Sequence, residues 1–131
     1  MVGDLMIDHY LWGSSERISP EAPVQIVDIY KENTVLGGAG NVINNLQALG
    51  AKVDVISVIG DCKIAAELKD LLGKISVNTG FLVVQKNRLI SKKSRLIAAQ
   101  QQVIRFDSES ADEINLQAQN AIKKTFEKII T

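Results

Sequence analysis

The chain is 131 residues long, 46% hydrophobic and 23% charged, which suits one globular domain with a core of its own. Fifteen basic side chains balance fifteen acidic ones, so no strong net field recruits nucleic acid or an anionic membrane surface. The single cysteine, Cys62, excludes an internal disulfide and agrees with a reducing cytoplasm, and no apolar run approaches the roughly 18 residues of a membrane span.

Val2 to Asp8 reads as the end of a strand that runs into an edge loop, with carboxylates at Asp4 and Asp8. Leu11 to Ala22 is expected to be loop, closed by the Ser19-Pro20-Glu21-Ala22-Pro23 punctuation. Val24 to Tyr30 then alternates with period two, as a strand does. Gly37-Gly38-Ala39-Gly40 leads directly into a helix through Asn41 to Leu49, which Gly50 stops. Lys52 to Ile59 is short and β-branched, the composition of a buried parallel strand. Asp61 is placed to cap a second helix, Ile64 to Leu72, with Ile64, Leu68, Leu71 and Leu72 on one stripe and Gly73 at its end.

Beyond Val77 the pattern becomes strand-like: Phe81 to Val84, Ser91 to Ala98 and Val103 to Phe106, separated by Asn87-Arg88 and by Gln100-Gln101-Gln102. Ser110-Ala111-Asp112-Glu113 has the form of a capping box opening a last helix with Ile114, Ala118, Ala121, Ile122, Phe126 and Ile129 at helical spacing. Alternating helices and β-branched strands predict an α/β domain with a parallel sheet, and the more polar strands predict a small antiparallel sheet at one edge. A final helix without a returning strand suggests that the sheet continues in a longer parent.

The glycine turn is the first place to look for chemistry. Glycines before a helix admit close approach of a ligand and leave amide donors free, and Asn41 adds both a donor and an acceptor suited to a sugar hydroxyl. A tight packed turn explains the same glycines. The Gly-Lys-Ser or Gly-Lys-Thr of a phosphate-binding Walker loop is not present. A dinucleotide fingerprint is a near miss, with Ile43 where the third glycine belongs and Asp61 where the ribose acid belongs, and Lys31 to Thr34 is too polar for the buried strand such a site requires. Asp4 and Asp8 lie where carboxylates meet ligands in open α/β sheets, and one carboxylate can accept from two adjacent sugar hydroxyls; solvated turns are the plainer alternative. Lys93 and Arg95 are two apart and share a strand face that suits a phosphate, or equally a cation-decorated edge. His9 is expected to be structural, Cys62 lies at a helix start without a metal-site partner, and Trp12 lacks local cover, as an interface or lid residue would.

Gly3-Asp4-Leu5-Met6-Ile7-Asp8, then Arg17-Ile18-Ser19-Pro20-Glu21-Ala22-Pro23-Val24, then Gly37-Gly38-Ala39-Gly40-Asn41-Val42 resembles, in content and order, the ribokinase/PfkB carbohydrate kinases. The Ser-Pro-Glu-Ala-Pro-Val segment and Lys93 to Asp107 are similar to the heptose 7-phosphate kinases within that family, which serve lipopolysaccharide core biosynthesis and are often fused to an adenylyltransferase that makes the ADP-heptose precursor. The likeness covers nearly the whole chain.

It implies the N-terminal part of a Rossmann-like, ribokinase-type parallel sheet with a small β-sheet lid, formed by strands in about 11–36 and 81–99 and able to make a homodimer contact. It implies Asp8 for sugar hydroxyls, the Gly37-Gly38 backbone and Asn41 for the pocket, Lys93 and Arg95 for the 7-phosphate, and Gln101, Gln102 and Arg105 for its wall. Two departures stand out. Cys62 and Ala65-Ala66 replace an acid and a glycine after Gly60-Asp61, and the family's Gly-Ala-Gly-Asp signature is absent. Because that signature carries the anion hole and the aspartate base, the ATP site, its magnesium and the catalytic residue are expected outside these residues, and this stretch alone is expected to be inactive.

Overall fold

The computed structural model describes residues 1–131, with three helices and six strands in two sheets. Strand β1 (Leu5–Ile18) leads into β2 (Gln25–Gly38), helix α1 (Ala39–Ala48), β3 (Ser57–Ile59), α2 (Lys63–Lys74), β4 (Leu82–Val84), β5 (Ser91–Ala98), β6 (Gln101–Ser108) and α3 (Leu116–Ile130). The four-stranded sheet has the order β2-β1-β5-β6, with β1 antiparallel to β2 and parallel to β5, and β5 antiparallel to β6. The second sheet pairs β3 with β4 in parallel. Single parallel bridges, Val2 with Ile56 and Asp54 with Asn78, extend that parallel layer on either side. The domain is α/β with a parallel layer and a second sheet, as the sequence indicates.

The core sits where the two layers meet. Leu5 and Ile7 of β1, Ile43 of α1, Val55, Ile59, and Leu68 and Leu72 of α2 are buried together. Alternation along β1 explains the division of labour: Leu5 and Ile7 face this core, while Met6 and Asp8 face the other way.

Several local expectations need correction. Leu11 to Ala22, read as loop, is strand as far as Ile18, because the polar run Gly13 to Arg17 satisfies its backbone on β2 rather than in a core. Leu82–Val84, grouped with the lid strands, pairs instead with β3, its short apolar run seated in the parallel layer. The N-cap of helix α3 lies five residues beyond Ser110, the expected one: Asn115 is the N-cap, its side chain accepting from the Ala118 amide at 2.8 Å, while Ser110 Oγ accepts from the Leu89 amide. Asp61 does not cap α2; Cys62 holds that position and Asp61 accepts from the Asn87 amide at 3.0 Å. Gly73 stays inside α2, and Ser76 takes the left-handed conformation after it (φ 59°).

Candidate functional site

Face-to-face register builds one patch on the four-stranded sheet. In β1, Met6, Asp8, Tyr10 and Trp12 share the side away from the core. Their partners on β5 are Ser91, Lys93, Arg95 and Ile97, and their partners on β2 are Gly37, Val35, Asn33 and Lys31. Lys93 therefore lies directly beside Asp8, and Arg95 beside Tyr10.

The Arg95 guanidinium donates from Nη1 to Asp8 Oδ1 at 2.9 Å, and both side chains are 22% exposed. Arg95 also lies over the Tyr10 ring, 5.5 Å from its centroid. Tyr10 stacks on Trp12 at 5.8 Å, and Lys31 lies 4.8 Å from the Trp12 centroid. The result is a column of charge and aromatic rings running up β1. The hydrogen bond to Asp8 raises the Arg95 pKa above its ordinary value; partial burial opposes this, and the charges of Asp8 and Asp107 add to it. A cation whose pKa is raised stays charged through neutral pH and well above it, so a rise of pH to neutral does not cost the pair its guanidinium charge. On β6, Arg105 pairs with Asp107 at 3.2 Å. Lys93 has no carboxylate within salt-bridge distance.

The glycine turn completes the patch from the β2 side. Gly37 is buried, and a β-carbon there would stand 2.6 Å from Asp8 Oδ2 and 3.0 Å from its carboxyl carbon. The absence of a side chain at residue 37 is what admits the Asp8 carboxylate. Gly38 caps α1 with a positive φ of 56°, which glycine adopts without strain. One of the amides expected to be free at this helix start is already used: Ala39 donates to the Asp4 carbonyl at 3.0 Å. Because β2 is antiparallel to β1, the turn does not follow the parallel strand that a dinucleotide fingerprint requires.

Asp8, Gly37, Lys93 and Arg95 are thus brought together. Gln101, Gln102 and Arg105 lie on the exposed edge strand β6, with Arg105 in register with Arg95. Asn41 is exposed on the first turn of α1 and lines a different hollow, of about 390 Å³, with Thr34, Asn44, Leu71 and Lys74. Asp4 lines another cavity, of about 570 Å³, with Arg88, Ser91, Glu109 and Asp112. His9 faces the core side, with Nε2 2.9 Å from Glu32 Oε2 and Nδ1 3.4 Å from Ser94 Oγ, and ties three strands together. Tyr10 was missed as a member of the patch. Its spacing of two from Asp8, on a strand shared with Trp12, was the signal that could have found it.

The backbone resembles solved sugar kinases: a carbohydrate kinase from Agrobacterium tumefaciens superimposes with a TM-score of 0.61 over 82% of this chain and 34% of its own, at 19% identity. A likeness at that identity concerns the fold. The signature of the pfkB family of carbohydrate kinases matches residues 1–129, and the chain belongs to that family. Among curated relatives it is 64% identical over 130 residues to the bifunctional protein HldE of Aliarcobacter butzleri, and 59% identical over 131 residues to that of Sulfurimonas denitrificans. These alignments cover 99% and 100% of this chain but 27% and 28% of the relatives, so the chain spans little more than a quarter of their length.

Proposed function

We propose that this chain forms the acceptor side of a kinase that phosphorylates the anomeric hydroxyl of a heptose 7-phosphate, on the route to the ADP-heptose used in lipopolysaccharide core synthesis. The observation that carries the reading is the Asp8 carboxylate, seated against the side-chain-free Gly37 with Lys93 and Arg95 on the same sheet face. A carboxylate takes paired hydroxyls, and two neighbouring cations take a phosphate. Family membership and the names of the relatives support a sugar kinase.

ATP and magnesium belong to the same proposal, but the residues here do not fit them. No group of three or more His, Cys, Asp or Glu side chains is placed to hold a metal ion. The glycine turn is taken up by Asp8 and Asp4, and no Walker lysine follows it. No step is therefore assigned to a nucleotide within this chain. The reading places the reaction in the cytoplasm, where ATP is available; no helix of the chain is long and apolar enough to cross a membrane.

Calorimetric titration with heptose 7-phosphate tests the assignment directly. The chain carried to its relatives' full length is expected to bind, and Gly37→Ala to bind about tenfold more weakly with little change in stability. The new methyl meets side-chain atoms, Asp8 Oδ2 at 2.6 Å and Met6 Cγ at 3.0 Å, and no backbone atom as near. No binding by the unaltered protein would falsify the substrate assignment.

A homodimer through the four-stranded sheet is part of the same reading. Its outer strands β2 and β6 expose Ile29, Tyr30, Val103, Ile104 and Phe106, an unusual apolar load for two sheet edges. Sedimentation should show a concentration-dependent dimer that Tyr30→Glu together with Phe106→Glu returns to monomer; a monomer at high concentration removes this contact.

A further inference from the structure

We propose that the Asp8–Arg95 ion pair is a latch that a phosphorylated sugar opens and an unphosphorylated one does not. The inference rests on the heptose 7-phosphate reading above and adds how the site tells a sugar phosphate from the free sugar.

In this structure both oxygens of the proposed hydroxyl acceptor are engaged or enclosed. Oδ1 receives the Arg95 hydrogen bond at 2.9 Å, and Oδ2 lies against Gly37. A neutral hydroxyl arriving at Asp8 has to displace a guanidinium, exchanging a bond between two charged groups for one with a single charged partner. A free sugar brings nothing for the displaced Arg95 to bind.

A sugar phosphate does. Phosphate carries roughly −1.5 to −2 charges and three acceptor oxygens, so it outcompetes a single carboxylate for a guanidinium. Lys93 stands beside Asp8 in register, has no carboxylate within salt-bridge distance, and adds a second cation to the draw. The pair to be broken is part-buried but still reached by solvent, with both side chains 22% exposed, and one hydrogen bond joins it. Tyr10 keeps the guanidinium close to the sheet, 5.5 Å from its ring centroid, so Arg95 can exchange partners without leaving the patch. Once the phosphate holds Arg95, Asp8 is released to accept from the hydroxyls. Phosphate binding and hydroxyl binding are then coupled, and by linkage the coupling is reciprocal.

The central arm of the test uses the unphosphorylated sugar. Unphosphorylated heptose is titrated into the full-length protein in a calorimeter, once with millimolar inorganic phosphate and once with sodium chloride at equal ionic strength. The latch requires phosphate to tighten binding of the free sugar by about three- to tenfold, because phosphate supplied separately still occupies Arg95. Arg95→Gln should bind the free sugar as tightly as the unaltered protein does with phosphate, and should no longer respond to phosphate. A phosphate effect of zero or of opposite sign overturns the latch, and so does an Arg95→Gln variant that binds free heptose no better than the unaltered protein. Because the phosphate arm uses the unaltered sequence, a misfolded variant cannot decide the matter. Tight binding of heptose 7-phosphate without any phosphate effect removes the latch alone, whereas no binding of heptose 7-phosphate removes the substrate reading itself.

Discussion

Asp8→Ala is expected to weaken binding of heptose 7-phosphate by about thirtyfold, close to 2 kcal/mol. Hydrogen bonds that sugar hydroxyls donate to a carboxylate are worth about 1.5–3 kcal/mol each. Part of that loss is offset, because the variant no longer has to separate Asp8 from Arg95 before the sugar enters. The same offset predicts a contrast: affinity for inorganic phosphate should stay level or rise, since Arg95 is left without its 2.9 Å partner. Thermal unfolding should move by only a few degrees, because Arg95 keeps its place over Tyr10 and part of its side chain already reaches solvent. Calorimetry with the two ligands, run beside a melting curve, separates these effects. Unchanged affinity for heptose 7-phosphate takes Asp8 out of the site.

Gly60→Ala should be the most damaging single methyl in the chain. A β-carbon at Gly60 would overlap the carbonyl oxygen of Arg88 and stand 2.9 Å from its carbonyl carbon. That backbone has no room to retreat. Gln85 donates to the Ile59 carbonyl at 2.9 Å, Asn87 to Asp61 at 3.0 Å and Leu89 to Ser110 at 2.9 Å, and Ile90 is buried in the core. Overpacking against fixed backbone costs about 3 kcal/mol or more, a fall in melting temperature on the order of 10 °C. Gly73→Ala is the matched control. Gly73 lies inside α2 with nothing within 4 Å of the added carbon, so the same change should stabilise by about 0.5 to 1 kcal/mol. Equal melting temperatures for the two variants would contradict the packing described around Gly60.

Much of the fold could be read locally. The glycine-bounded helix α1, the stripe of α2 and the alternation of β5 each announce themselves within about a dozen residues. What escaped was decided by distant partners. The polar run Gly13 to Arg17 has no apolar period, and only its ladder with β2 makes it a strand. The turn between β5 and β6 places Ala99 and Gln100 at φ 49° and 61°, without the Asn-Gly or Asp-Gly signal that marks such hairpins. The candidate site follows the same division. Motif order singled out Asp8, Gly37, Lys93 and Arg95; the register of β1 with β5 sets Asp8 beside Lys93 and Arg95 across more than eighty residues of sequence, and that of β1 with β2 brings Gly37 alongside. The bond between Asp8 and Arg95, and Tyr10 beneath the guanidinium, exist only once that parallel pairing is made.

Strand β1 serves two masters, the core with Leu5 and Ile7 and the open patch with Asp8, Tyr10 and Trp12. Side chains along a strand alternate in strict phase, so an insertion or deletion of one residue between Ile7 and Trp12 would turn the patch residues beyond it to the opposite face. The distance in sequence from Ile7 to Trp12 is therefore fixed by parity. Descendants of this gene should vary these letters more freely than their number. The Ser19 to Val24 connection, closed by a hydrogen bond from the Ser19 amide to the Val24 carbonyl at 2.8 Å, carries no such phase and is where length can change.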